Sequence, residues 1–202
     1  MKKRVAALIS GRGSNMTSLI AAAKDPAFPA EIALVLSNRP DAGGLETARR
    51  EGIASVAIDH KAYKSREEFE RAMQDVLLQH KIDIVCLAGF MRLLTPWFVE
   101  QWSGKILNIH PAILPLYKGL HTHERALADG VKLHGATVHF VVPGMDEGPI
   151  IAQAVVPVLS TDTPETLGAR VLVQEHKIYP LALNLLAADR LSVDGTRVSI
   201  KG

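Results

Sequence analysis

Residues 5–9, 32–36, 55–58, 84–87 and 106–109 form short, nearly continuous apolar runs. Unbroken runs of this length read as strands buried on both faces. Between them lie helical segments: 15–23, 44–51 closed by Gly52, a third reaching about His80, and 96–102. The third opens on Ser65-Arg66-Glu67-Glu68, the pattern of a capping box. Strands alternating with helices predict an α/β fold whose central sheet is mostly parallel and covered on both faces.

The rhythm changes after residue 110. A short helix is expected at 124–128, then strands at 136–142 and 150–158. The joint between those strands, residues 143–149, is too short for a crossover helix, so the pair is expected to be antiparallel. Thr163-Pro164 starts a long helix running to about Asp189. Val193-Asp194-Gly195-Thr196 reads as a closing hairpin turn.

Composition narrows the function classes. The 202 residues, 48% hydrophobic with net charge +2, suit one domain, or a domain plus an appendage. There is no charge excess of the kind that nucleic-acid binding needs, while a small anionic ligand is compatible. Cys86, the single cysteine, lies in an apolar run and reads as a buried structural thiol. It excludes an internal disulfide and a cysteine metal cage. Met1-Lys2-Lys3-Arg4 followed by an apolar run is too short for a signal peptide and reads as a first strand. No segment is long enough to span a bilayer, and the cytoplasm is the expected compartment.

Candidate chemistry gathers at the fifth strand. In Ile106-Leu107-Asn108-Ile109-His110-Pro111, alternation puts Asn108 and His110 on one face, and Pro111 ends the strand. Open α/β sheets bind ligands at the carboxyl ends of strands. An amide donor beside an imidazole suits acyl chemistry, one steadying an oxyanion and the other moving protons. Asp146 follows 36 residues after the histidine.

Ser10-Gly11-Arg12-Gly13-Ser14-Asn15 joins the first strand to the first helix, where free N–H groups suit a phosphate. A Rossmann fingerprint would need glycine at Met16 and an acidic residue after the second strand. That strand ends in Ser37-Asn38-Arg39, so Arg39 facing a 2′-phosphate keeps an NADP enzyme as a lesser alternative. The nucleotide P-loop's Gly-Lys-Ser/Thr is absent. His121, His123 and Asp146 are a conceivable metal set, but no familiar ligand spacing occurs and no metal is expected. His60 and His80, at element ends, are expected to be solvated, and His139 to pair with a backbone group or a carboxylate.

With these motifs assembled, the chain resembles the phosphoribosylglycinamide formyltransferase family, folate-dependent enzymes of purine synthesis, along nearly its whole length. The resemblance is carried by Ile9 to Asn15, Leu87-Ala88-Gly89-Phe90-Met91-Arg92-Leu93-Leu94, Asn108-Ile109-His110-Pro111, Gly119-Leu120-His121-Thr122-His123, Met145-Asp146-Glu147-Gly148-Pro149 and Gln174-Glu175-His176. It implies a Rossmann-like formyltransferase fold as a single domain over 1–202, with a ribonucleotide-binding half (1–104) and a catalytic and folate-binding half (105–202). The implied reaction moves a formyl group from 10-formyltetrahydrofolate to the amine of glycinamide ribonucleotide. Asn108, His110 and Asp146 are the implied catalytic residues, Asp146 favouring the imidazolium by its charge. Gly13, Ser14, Asn15 and Glu175 are implied for the ribonucleotide, and Arg66, Met91, Arg92, Leu93, Leu94, Asn108 and Val141 for the folate. The implied partners are small molecules, with no nucleic acid, membrane or metal, in a monomer or homodimer. Formyltetrahydrofolate hydrolase is the alternative. Ala112, Leu116 and Leu172 depart from the polar residues that relatives often carry at those places.

Overall fold

The computed structural model describes residues 1–202. β1 (Lys3–Ile9), α1 (Ser14–Ala23), β2 (Ala30–Ser37), α2 (Gly43–Arg50) and β3 (Ala54–Ala57) form one wing. α3 (Arg66–Gln79), β4 (Ile84–Leu87), α4 (Pro96–Gln101) and β5 (Ile106–His110) form the other. Then come α5 (Thr122–Ala128), β6 (Leu133–Phe140), β7 (Ile150–Pro157), α6 (Pro164–Ala187) and the hairpin β8 (Leu191–Asp194)–β9 (Arg197–Ile200).

Seven strands make one sheet in the order β3-β2-β1-β4-β5-β6-β7. β1 to β5 run parallel, while β6 and β7 are antiparallel to their neighbours. The chain winds outward from β1 in one direction and then from β4 in the other, so the sheet reverses between them. That reversal opens a crevice at the strand carboxyl ends.

Side-chain alternation divides the apolar residues between two layers. Val5, Ala7, Ile9, Ile84, Cys86, Leu107 and Ile109 pack under α1, α2 and α6. Ala6, Leu8, Val85, Leu87 and Ile106 pack under α3 and α4 through Phe69, Met73, Leu77 and Phe98. Asn108 and His110 share the parity of Ile106, and so leave β5 on the α3/α4 side, beyond the end of that core. Tyr179 of α6 reaches the β4/β5 seam from the opposite layer. Its hydroxyl lies 2.9 Å from the Leu87 carbonyl and 3.2 Å from that of Leu107.

Four local features differ from what the sequence predicts. Ser65 caps α3 by accepting from Glu68 N–H, but the Glu68 carboxylate accepts from Lys64 N–H, so the box is half formed. Thr163 and Thr166 form a complete box at α6, a pairing the sequence reading passed over. The strand expected at 136–142 runs instead over Leu133–Phe140, because Val141 and Val142 leave it to line a cavity. Finally, α5 begins two residues early, at Thr122, after His121 in a left-handed conformation (φ 57°). No helix is long and apolar enough to cross a membrane.

Candidate functional site

A cavity of about 620 Å³ opens over the carboxyl ends of β4 and β5. The 89–94 segment after β4 borders it, with the loops 119–124 and 141–146 opposite. Asn108 and His110 reach it from β5, His139 from β6, and Asn15 and Glu175 from α1 and α6.

Hydrogen bonds determine the protonation pattern of the polar group. His139 Nδ1 lies 2.8 Å from its neighbour's carbonyl, Phe140 O. A carbonyl only accepts, so Nδ1 carries the proton and Nε2 of the neutral ring is bare. Burial also lowers the His139 pKa, which favours that neutral ring. Asn108 Nδ2 donates to this Nε2 at 3.2 Å, which orients the amide and leaves its second hydrogen free.

His110, nearly inaccessible at 5%, has both ring nitrogens facing oxygen. Nε2 donates to Tyr117 O at 2.9 Å, and Nδ1 is 3.4 Å from Asp146 Oδ2. A ring protonated at both nitrogens satisfies both acceptors. Asp146 Oδ2 also accepts from Gly119 N–H at 2.9 Å, and its Oδ1 lies 3.7 Å from His139 Nε2. Asp146 itself occupies the left-handed region (φ 53°), which aims its carboxylate back at β5.

His139 is the residue that sequence reasoning left outside the site. Its signal is register. The antiparallel ladder pairs it directly with Asn108, but nothing in the sequence states which residues of two strands are opposed.

In the lining of the same cavity, Asn15 Nδ2 donates to Glu175 Oε2 at 2.6 Å. Both side chains are buried; burial raises the Glu175 pKa, and the Asn15 bond opposes the rise. Gly13 (φ 70°) and Ser14 sit at the amino end of α1, next to Asn15 but outside the cavity lining. Met91, Arg92, Leu93, Leu94 and Val141 all line the cavity. Arg66 does not: it is an exposed first residue of α3, outside the lining of the cavity.

A second cleft of about 320 Å³ adjoins the first and shares Gly89, Met91 and Arg92 with it. Its other walls are Ser10, Gly11, Asn38, Arg39 and His60. Arg39 and Arg92 are among its walls and no carboxylate lines it, which suits an anion, although the Arg39 guanidinium is already paired with Asp41 at 2.8 Å. His60 is not simply solvated as expected: its Nδ1 bonds Asn38 O at 2.9 Å and the residue is half-buried.

The His121–His123–Asp146 set does not converge. His121 is exposed beside Glu124, while the His123 ring packs edge-on against His134 with centroids 5.3 Å apart. Cys86 is buried with its pKa pushed up to about 12, which keeps it an unreactive thiol.

His134 supplies a pH prediction. It is 1% exposed with neither ring nitrogen bonded, and its pKa falls to about 4. Burial is the main cause, helped by His123. An unfolded imidazole takes up its proton near pH 6.5, so between there and pH 4 the unfolded chain binds more protons. Stability is therefore full above about pH 6.5 and falls as the pH drops towards 4, by about 3 kcal/mol at about 1.4 kcal/mol per unit. Urea midpoints at pH 7.5 and 4.5 check this. A His134→Phe variant with the same acid loss as the parent would remove His134 as the cause.

An α/β sheet with an antiparallel edge, carrying an amide, two imidazoles and a carboxylate over its strand ends, is a scaffold for acyl transfer on a small molecule. A family model described as formyl transferase matches residues 3–183, and the chain belongs to that family. Phosphoribosylglycinamide formyltransferase of Escherichia coli is 44% identical over 205 residues, covering 98% of this chain and 97% of its own. The human trifunctional purine biosynthetic protein adenosine-3 is 52% identical over 187 residues. That match covers 93% of this chain, which spans 18% of the longer protein's length. Among solved structures, glycinamide ribonucleotide transformylase 1 from Symbiobacterium toebii superposes with a TM-score of 0.97 at 46% identity, covering 100% of this chain and 95% of that one. A formyltetrahydrofolate deformylase from Pseudomonas syringae superposes with a TM-score of 0.90 at 27% identity, covering 100% of this chain and 67% of that one. Identity and two-sided coverage group the chain with the phosphoribosylglycinamide formyltransferases of the family.

Proposed function

We propose that this chain transfers the formyl group of 10-formyltetrahydrofolate to the amine of glycinamide ribonucleotide, a step of de novo purine synthesis. The observation that carries the reading is the meeting of Asn108, His110, His139 and Asp146 in one cavity. That cavity has a polar Asn15–Glu175 pair and an apolar wall at residues 91–94. The fit is chemical. The pterin lies against Met91, Leu93, Leu94 and Val141. The ribose hydroxyls meet Glu175, and the phosphate lies at the amino end of α1 beside Gly13, Ser14 and Asn15. The folate carries a glutamate, whose carboxylates suit the adjoining cleft at Arg92 and Arg39. Arg66, exposed and outside the cavity, is proposed to act only on that outer carboxylate end.

In this mechanism the amine attacks the formyl carbon and an oxyanion forms. The free hydrogen of the Asn108 amide, with the His110 imidazolium, stabilises that oxygen. His139 holds the amide so that the hydrogen is already aimed, which avoids reorganisation during the reaction. As the intermediate collapses, the attacking nitrogen loses one proton and N10 of the folate gains one. His110 gives its proton to N10 and takes one from the attacking nitrogen, while Asp146, 3.4 Å from Nδ1, keeps the ring oriented.

Both ligands straddle residue 104 in this reading. The pterin wall comes from residues 91–94 and the ribose contact from Glu175, so the two halves act as one unit. The proposed protein is cytoplasmic, acts as a monomer or homodimer and needs no metal.

Folate absorbance during turnover tests the proposal, with and without the ribonucleotide and with a chelator. Turnover that requires the ribonucleotide and ignores the chelator is expected. Formate release without the ribonucleotide would replace this reading with the hydrolase, and loss of activity to the chelator would restore a metal.

A further inference from the structure

The segment linking β5 to α5 holds both ionisable groups of the dyad through its backbone: Tyr117 O accepts from His110, and Gly119 N–H donates to Asp146. Two other side-chain contacts bear on residues 117–118: Lys118 Nζ pairs with Glu147 at 2.9 Å, on an exposed surface, and the Tyr117 ring meets the His134 ring edge-on with centroids 5.6 Å apart. Leu116 and Leu120 are exposed, so few apolar contacts fix it. Tyr117 (φ 56°), Gly119 (φ 79°) and His121 (φ 57°) all lie in the left-handed region, a cost for the two that are not glycine. A backbone in that conformation persists only when its surroundings over-determine it.

One side chain outside the cavity does this from α5. Arg125 Nη1 donates to Lys118 O at 2.7 Å and lies 3.5 Å from Leu120 O. Its guanidinium also sits over the Tyr117 ring, 5.4 Å from the centroid. It therefore touches Tyr117, Lys118 and Leu120, the residues that flank the two backbone groups on the dyad.

We propose that Arg125 is a positioning residue for the formyl transfer. By clamping residues 117–120 it keeps Tyr117 O and Gly119 N–H in register with His110 and Asp146. Arg125 touches neither reacting group. Without it, Lys118 O is hydrated and the fold survives, but the strained segment samples other conformations and the imidazole loses its fixed acceptor. A shift of about 1 Å near reacting groups lowers rates by up to about a hundredfold. The argument rests on the functional reading above, but its structural half can be measured without substrate.

The experiment compares Arg125→Ala and Arg125→Gln with the parent. It uses steady-state kinetics and ¹⁵N NMR of histidine-labelled protein, observing the His110 Nε2–H. Arg125→Ala is expected to lower kcat about tenfold, leave the KM for the ribonucleotide within twofold and broaden or lose the Nε2–H signal. Arg125→Gln keeps a donor for Lys118 O and is expected to restore most of both. An unchanged kcat in Arg125→Ala, or a reduced kcat with the Nε2–H signal intact, would overturn the proposal. A parent inactive in formyl transfer would overturn the functional reading instead, with the NMR comparison still deciding the clamp.

Discussion

Asp146→Ala is expected to lower kcat by about 10²–10⁴-fold, the range for loss of a positioned acid–base partner. The carboxylate has two simultaneous duties. It faces His110 Nδ1 and accepts from Gly119 N–H. Alanine leaves the imidazolium without its counter-charge in a nearly inaccessible position and frees the 117–120 segment at the same time. His110→Ala removes the proton carrier itself. Asn108→Ala removes one oxyanion donor, for which about 10²–10³-fold is typical. The three losses will not add, because each residue holds another in place. Circular dichroism and urea unfolding establish that each variant is folded, and steady-state kinetics give the effect. A purified, folded His110→Ala protein with full activity would sink the mechanism.

Gly148→Ala is expected to cost about 3 kcal/mol or more of stability and most of the activity. A Cβ added at residue 148 would lie 1.7 Å from Phe140 O and 3.4 Å from His139 Nδ1. Phe140 O is a backbone atom of β6 and is already the acceptor for His139 Nδ1. The strand cannot yield without taking His139, and the Asn108 amide behind it, out of position. Gly148 also sits two residues beyond Asp146, so relief in the other direction moves the carboxylate. Urea unfolding with kinetics on the remaining folded fraction tests this. A variant with parental midpoint and kcat would mean that the 143–149 loop is far softer than its contacts imply. Gly144→Ala is the contrast: there the nearest atoms belong to the far end of the Glu147 side chain, which can swing away.

How much of this was legible beforehand depends on the distance over which each feature is decided. The parallel strands were visible because burial on both faces demands unbroken apolar runs, as at Val5 to Ile9. Asn108 and His110 were legible as a same-face pair because strand period is a local property. The half-formed box at Ser65 shows the limit of local reading. The capping bond forms, while Glu68 takes a competing donor one residue further back. Val141 and Val142 show another: their apolarity was read as strand, but it serves a cavity wall.

The chain order of polar and apolar residues was enough to determine the α/β class, the antiparallel turn of its last strands, the strand-end location of the site and two of its polar groups. Those features follow from periodicity, capping and turn length, which act over a few residues. Tertiary structure alone decided that His139 faces Asn108, that Asp146 returns from a left-handed loop to His110, and that Glu175 meets Asn15 across 160 residues. It also gathered Arg39 and Arg92 around a second cleft. The reason is physical: hydrogen bonds and ion pairs depend on ångström-scale distances between distant segments. Strand register and loop conformation set those distances, and neither is a local property of the residues that end up in contact.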